Sequence, residues 1–310
     1  MPRDAEDPAP PDEASLDEWR AHLEDVGARE GFFRSIGDRH SALYIERGDT
    51  LIVTFENLDH VYERGIDRMP WGYGFVAANG WSMLGMMAHG FTWYRDADIY
   101  AFFDEMRDSG FFSGFQRVIF YGASMGGYAA AAFSAAAPGA TVIAISPQAT
   151  LSREIAPWET RYRKAWRGDF STRYGYAPDM IAEARQVVLF YDPIEPLDAM
   201  HAALFTGPNV MKLRCRYFGH RIASMWVRMG VLKPIIHDCV DGTITPHRFY
   251  TYLRGRRDDM KYQRAMLGRL QEAGNPARIA TLCEAILARR GAPRFRQALK
   301  AAKAELAGQD

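Results

Sequence analysis

RVIFYGASMGGYAAAAFSAAAP, residues 117–138, carries the clearest structural signal in the chain. Residues 118–121 are apolar, β-branched or aromatic, which predicts a short buried strand. The alanine-rich run at 128–137 has the composition of a helix, and Pro138-Gly139 ends it. The stretch therefore predicts a strand, a sharp turn and a helix, in that order.

The turn between this strand and helix has the G-x-S-x-G spacing, with Gly122 and Gly126 two residues before and after Ser124. A serine on so sharp a turn has a strained backbone, and the flanking elements nearly collide, so only glycine fits at these two positions. The start of the helix also favours an anion next to the serine. Ser124 is therefore the candidate nucleophile, and the alternative is a glycine-rich turn without chemistry.

The bulk composition is that of an ordinary soluble α/β protein. The chain has 310 residues, 48% hydrophobic and 25% charged, with a formal net charge of zero, so nothing in it indicates a nucleic-acid partner. No apolar run approaches the 18 or so residues of a membrane span. Three widely spaced cysteines and an acidic, proline-rich N-terminus indicate a cytoplasmic protein with reduced thiols and no zinc site.

Strands alternate with helices through the middle of the chain. Strands are predicted at 41–46, 51–55, 118–121, 141–145, 186–191 and 211–218, and helices at 97–109 and 199–206. This order predicts an α/β fold with a mostly parallel, doubly wound sheet. Ser124, Asp192 and His220 each follow a predicted strand, so all three should meet at the carboxyl edge of the sheet.

The remaining segments give the domain organisation. Residues 1–14 are predicted to be disordered, 15–240 to form the α/β domain, and 241–310 to form a helical C-terminal extension. Within the domain, residues 149–180 carry no strand signal. Trp158, Tyr162 and Trp166 fall at helical spacing there, which predicts a helix that is either a lid over the site or part of the core.

A serine hydroxyl needs a base in contact, and the base needs a carboxylate to orient it. Among the eight histidines we assign His220 as the base, because it alone follows both the serine and a predicted strand end. Asp192 is the predicted partner of His220, with Glu195 and Asp198 as rivals. Asp198 has a second explanation, as the N-cap of the helix predicted at 199–206.

Acyl transfer also needs two hydrogen-bond donors for the developing oxyanion. The backbone N–H of Met125, directly after the serine, is the first candidate. The second should come from the loop after strand 51–55, which makes Asn57 or Leu58 the candidates. No HGGG sequence is present there.

These motifs resemble those of the α/β-hydrolase superfamily. The match is carried by GASMGG at 122–127, by D-P-x-x-P at 192–196 and by Gly219-His220, and it covers roughly residues 40–240. The resemblance implies an eight-stranded, mostly parallel sheet and a Ser-Asp-His triad. The stretches 46–58, 146–150 and 190–193 further resemble uncharacterised bacterial proteins of this type, some of them linked to glycan modification. Residues 245–310 extend past where that core fold should end.

Three functions are compatible with these residues. The leading prediction is a serine hydrolase that cleaves a carboxylic ester or related acyl compound through an acyl-enzyme on Ser124. The second is an acyltransferase that moves the acyl group to a glycan or another hydroxyl. The third is a non-catalytic binding protein on a hydrolase fold, with the basic C-terminal helices as its interaction surface. No cofactor or metal is expected. A small-molecule or glycan-linked acyl substrate is expected, and the acyl chain, leaving group and oligomeric state are left open.

Overall fold

The computed structural model describes residues 13–57, 69, 70 and 72–308. Residues 1–12 of the predicted disordered segment lie outside this part of the chain. The chain divides into two compact units, residues 1–249 and 250–310. The sequence analysis places the corresponding boundary nine residues earlier, between 240 and 241.

An eight-stranded sheet forms the centre of the first unit. Its strands are β1 Gly31–Ile36, β2 His40–Ile45, β3 Thr50–Asn57, β4 Ser82–Ala88, β5 Arg117–Ala123, β6 Thr141–Ile145, β7 Gln186–Tyr191 and β8 Val210–Arg214. Their spatial order is β1-β2-β4-β3-β5-β6-β7-β8. The β1–β2 and β2–β4 pairs are antiparallel, and the other pairs are parallel. The predicted fold class is thereby confirmed, and the chain has an α/β-hydrolase fold.

Helices precede, connect and follow the strands of this sheet. They are α1 Glu13–Glu30, α2 Tyr73–Ala78, α3 Ala97–Asp108, α4 Met125–Phe133, α5 Ala177–Met180, α6 Pro196–Leu204, α7 Ile222–Arg228, α8 Leu232–Val240 and α9 Pro246–Tyr252. Helix α1 begins before the capping box expected at Ser15. Helix α3 begins as predicted, because the Asp96 side chain accepts a hydrogen bond from the backbone N–H of Asp98.

An aromatic cluster fixes α4 and α3 on one face of the sheet. The rings of Phe55 on β3, Phe103 on α3 and Phe133 on α4 stack on one another, and the Phe103 and Phe133 centroids lie 4.5 Å apart. Phe120 on β5 stacks on Phe55 as well. All four side chains are buried. Because six of the nine residues of α4 are glycine or alanine, its backbone can lie close to the sheet.

Two features differ from the sequence predictions. Strands β1 and β4 have no counterpart among the strands predicted above. The helix predicted at 149–180 is wrong, since the segment has an irregular backbone that contains a 3-10 turn at Arg163–Arg167 and the short α5. Side-chain donors replace helical hydrogen bonds here: Arg95 donates to the carbonyls of Asp169 and Arg173, and the Tyr128 hydroxyl donates to the carbonyls of Tyr174 and Gly175.

The second unit is helical. Its helices are α10 Met260–Glu272, α11 Pro276–Leu287 and α12 Pro293–Ala307. Leu267, Cys283 and Phe295, one from each helix, are nearly inaccessible to solvent and belong to one apolar cluster. None of the helices described in either unit is long and apolar enough to cross a membrane.

Candidate active site

Ser124 lies on a strained turn between β5 and α4. Its backbone has φ 53° and ψ −120°, outside the regions that a side-chain-bearing residue normally adopts. The Ser124 N–H donates to the carbonyl of Ile145 on β6 at 2.8 Å, which ties the turn to the neighbouring strand. A methyl group at Gly122 would clash with the Gly126 carbonyl, and one at Gly126 would clash with the Phe55 carbonyl. The two glycines are therefore a steric requirement of the turn.

His220 follows β8 and faces Ser124. Its Nε2 lies 2.8 Å from the Ser124 hydroxyl oxygen. Its Nδ1 lies 2.8 and 3.0 Å from the two carboxylate oxygens of Asp198, in the first turn of α6. A carboxylate can only accept, so the Nδ1 proton points at Asp198 and Nε2 is left to accept the serine proton. The structure thus brings together Ser124 and His220, two of the three predicted catalytic residues.

The predicted contact between Asp192 and His220 must be corrected. The Asp192 carboxylate is fully buried and accepts hydrogen bonds from the backbone N–H groups of Ile194 and Gly219, at 2.9 and 2.8 Å. It therefore ties the end of β7 to the loop that carries His220, while Asp198 contacts the imidazole. Asp198 is not the helix cap either, because α6 begins at Pro196 and Glu195 occupies the N-cap position.

A second layer of charged groups lies behind Asp198. The Arg161 guanidinium donates to Asp198 and to Glu159, each at 2.6 Å, and both carboxylates are buried. Glu159 also contacts His201 Nε2 at 3.0 Å. The backbone N–H of Ala149 donates to His201 Nδ1, so His201 carries its proton on Nε2 and donates it to Glu159. One arginine thus links two buried carboxylates, and the motif spacing gave no sign of Glu159, Arg161 or His201.

The pKa values in this layer keep both carboxylates ionised. Burial alone would raise the pKa of Glu159, but hydrogen bonds from His201 and Arg161 lower it to about 2. Burial likewise opposes ionisation of Asp198, yet the hydrogen bond from His220 and the charge of Arg161 hold its pKa below the ordinary value. Burial lowers the pKa of His201, which favours its neutral form.

Tyr162 is a further side chain at the site that sequence reasoning assigned only to an aromatic stripe. Its hydroxyl oxygen lies 3.4 Å from His220 Nε2. Residues 149–180 thus deliver side chains to the site, although they are not the predicted helix.

The first predicted oxyanion donor, Met125, is the first residue of α4. Its N–H belongs to the first turn, where helices have no acceptor of their own for the amide hydrogens. Asn57 is the last residue of β3, and Leu58 lies outside the described residues. The second donor that the sequence analysis placed at these two positions stays a prediction.

A separate cavity of about 300 Å³ opens on the sheet face that bears Ile52, Thr54 and Tyr121. Residues of α2 and α8 close it, and its lining is mostly apolar. Ser124, Asp198 and His220 do not line this cavity, so it is distinct from the candidate active site.

The sequence matches no protein-family model and no curated protein. Solved structures with a similar fold include an esterase from Pyrobaculum calidifontis, 13% identical over 75% of this chain and 93% of that one, with a TM-score of 0.45. A thermophilic carboxylesterase cloned from a metagenomic library is 14% identical over 74% and 98%, with a TM-score of 0.41. The capsule O-acetyltransferase of Neisseria meningitidis serogroup A is 12% identical over 64% and 92%, with a TM-score of 0.40.

Proposed function

We propose that this protein is a serine hydrolase that cleaves a carboxylic ester through an acyl-enzyme on Ser124. The observation that carries the proposal is the continuous hydrogen-bonded series from Ser124 through His220 to Asp198, with 2.8 Å at each step. The strained turn that holds Ser124 supports it, because unfavourable backbone geometry is typical of functional sites.

The reaction begins with attack of the Ser124 oxygen on the ester carbonyl carbon. The serine proton moves to His220 Nε2 as the new carbon–oxygen bond forms, and the carbonyl oxygen becomes an anion. When this adduct collapses, the bond to the alcohol oxygen breaks, and the proton on His220 passes to that oxygen. Water then attacks the acyl-enzyme in the same way, which releases the carboxylic acid and restores the serine hydroxyl.

Asp198 is the proposed orienting carboxylate. It accepts the Nδ1 proton of His220, which fixes the tautomer, and its negative charge stabilises the imidazolium that forms in each half-reaction. Arg161 keeps Asp198 ionised and holds its position from the other side. The Met125 N–H, at the start of α4, is the proposed first donor to the oxyanion, and Asn57 and Leu58 remain the proposed sources of a second backbone or side-chain donor.

Labelling with a fluorophosphonate probe tests this proposal. We expect covalent labelling of the native protein and loss of labelling in Ser124→Ala, whose fold circular dichroism should show to be unchanged. Labelling that is absent from both proteins, or equal in both, would contradict the proposal and favour a non-catalytic binding protein.

The products formed from p-nitrophenyl esters show which molecule accepts the acyl group from Ser124. With esters of increasing acyl length we expect release of p-nitrophenol and the free acid, both dependent on Ser124. The same reactions with an added sugar should still give the free acid. If an acylated sugar were the main product, the acyl acceptor would be a sugar hydroxyl and not water, and the protein would be an acyltransferase.

A further inference from the structure

The hydroxyl of Tyr162 brings residues 149–180 into contact with a reacting atom. It lies 3.4 Å from His220 Nε2, the atom that also contacts the Ser124 hydroxyl at 2.8 Å. Because Nε2 accepts the serine proton, the phenol keeps its own proton for another acceptor at the site. A tyrosine donor thus lies beside the nucleophile and its base.

The phenol keeps this proton at working pH. Burial raises the pKa of Tyr162, and this effect outweighs the opposing effect of the Arg161 charge. Tyr162 is therefore a neutral hydrogen-bond donor and does not compete with His220 as a base.

Packing holds the ring in place. The indole of Trp93 meets the Tyr162 ring edge to face, with 4.9 Å between centroids. The backbone N–H of Trp93 donates to the sulfur of Met125 at 3.3 Å, and Trp93 has a left-handed backbone at φ 56°. On the other side the Arg161 guanidinium lies 5.3 Å from the centre of the Tyr162 ring while it binds Asp198 and Glu159. Such fixed donors are effective in catalysis, because they need no reorganisation when charge develops.

We propose that Tyr162 is a catalytic residue whose hydroxyl donates a hydrogen bond to the oxyanion formed when Ser124 attacks an acyl carbonyl. The inference rests on the proposed function of Ser124. The tetrahedral adduct forms at the Ser124 oxygen, which contacts the same His220 Nε2 as the phenol, so its oxyanion develops beside this donor. The phenol keeps its proton throughout, and no bond to Tyr162 forms or breaks.

The variant Tyr162→Phe removes only the hydroxyl and leaves the ring against Trp93. We expect kcat for a p-nitrophenyl ester to fall about 10²- to 10³-fold, with KM changed much less, as for the loss of one oxyanion donor. In pre-steady-state measurements the burst and the steady-state rate should both fall, because acylation and deacylation each pass through an oxyanion. The affinity for a trifluoromethyl ketone inhibitor, which forms a tetrahedral adduct with the serine, should fall by a similar factor.

Tyr174→Phe is the matched control. Its hydroxyl belongs to the same segment but donates to Asp104 on α3, at 2.7 Å. We expect its rates to stay within about twofold of the native ones at a temperature well below unfolding. Loss of activity in this variant equal to that of Tyr162→Phe would overturn the proposal, since removal of any hydroxyl from the segment would then have the same effect.

Three outcomes separate this inference from the proposed function. Unchanged rates in Tyr162→Phe, in a protein whose Ser124 is labelled by a fluorophosphonate, would overturn the role of Tyr162 alone. A slower burst with an unchanged deacylation rate would also overturn it, because it would assign the phenol to the leaving group. An unlabelled native Ser124 would remove the proposed function, and the role of Tyr162 with it.

Discussion

Asp192 and Asp198 both follow β7, yet their carboxylates have different partners. Asp192 accepts two backbone N–H groups, and Asp198 accepts the Nδ1 proton of His220 and a guanidinium N–H of Arg161. Both carboxylates are buried, so burial does not distinguish them. The difference arises because α6 begins at Pro196, which places Asp198 in its first turn.

Asparagine substitutions at these two positions should have different effects. Asp198→Asn should lower kcat on an active ester by about 10⁴-fold, because an amide can donate to Nδ1 and so favours the wrong tautomer of His220. Asp192→Asn should instead lower the free energy of unfolding by about 1–3 kcal/mol, because it weakens hydrogen bonds to a buried charged acceptor. Ester kinetics and urea unfolding of both variants measure this. A larger kcat loss in Asp192→Asn than in Asp198→Asn would restore Asp192 as the orienting acid.

Glu159 should make the protein sensitive to acid. Its pKa in the folded state is about 2, below the ordinary 4.5, so its stabilising contribution is fully present above about pH 4.5 and is lost as the pH falls towards 2. The lowered pKa of Glu159 corresponds to about 3 kcal/mol of stabilisation of the folded state at neutral pH. Glu159→Gln should therefore be less stable at pH 7 and lose less stability in acid, as measured by urea unfolding at several pH values.

Glu105→Gln is the control for this effect. Glu105 pairs with Arg34 on the surface, where an ion pair contributes only about 0–1 kcal/mol. Its variant should therefore follow the pH dependence of the native protein. If Glu159→Gln did the same, the buried pair would not be the source of the acid sensitivity.

The strand, turn and helix around Ser124 depend on one another sterically. The turn requires that β5 and α4 approach each other and β3 with no side chain between them, and Gly122 and Gly126 provide this. The hydrogen bond from the Ser124 N–H to the Ile145 carbonyl joins the turn to β6. The buried alanines of α4 let the helix pack closely on the face of the sheet.

A methyl group at Gly126 should disrupt the turn. The new Cβ of Gly126→Ala would clash with the Phe55 carbonyl, a backbone group that β3 holds in the sheet. We therefore expect the free energy of unfolding to fall by at least about 3 kcal/mol, and fluorophosphonate labelling to be lost as well. The control is Gly114→Ala, where an added Cβ meets no atom within 4 Å, and where labelling should be unchanged. Thermal unfolding and labelling of the two variants test this, and a stable, fully labelled Gly126→Ala would contradict the steric account.

The molecule as a whole has two units, and the second has an apolar core of its own. Phe295 on α12 is 1% exposed and belongs to a cluster whose buried members all come from α10, α11, α12 and the loop before α12. The candidate active-site residues Ser124, His220 and Asp198 all lie in the first unit. The core of the second unit can therefore be weakened without a change to the catalytic contacts.

Phe295→Ala should destabilise the second unit by about 3–5 kcal/mol, because it leaves a cavity in a small core. Calorimetry should show a transition at lower temperature. The rate of Ser124 labelling at low temperature should be unchanged, because no catalytic residue is touched. A parallel loss of labelling would show that the site depends on the second unit.

The local pattern predicted the fold class and most of its strands, because buried strands and a glycine-flanked turn have short-range signals. Six predicted strands coincide with β2, β3, β5, β6, β7 and β8, although β8 is shorter than expected. Strands β1 and β4 carry weaker signals. Most of β1 is exposed or half-buried, so it lacks a continuous apolar run, and β4 is rich in methionine and has no β-branched or aromatic residue.

The sequence predicted Ser124 and His220 as site residues because each has a local signature, a glycine-framed turn for one and a position after a strand for the other. Three features were decided only by the tertiary structure. They are the contact of His220 with Asp198 and not Asp192, the hydrogen bonds from Arg161 to Asp198 and Glu159, and the position of Tyr162 beside Ser124. These residues lie on segments far apart in the chain, and their side chains meet because the sheet edge, α6 and the irregular 149–180 segment pack together. Such contacts depend on the direction of side chains in three dimensions, which residue spacing does not encode.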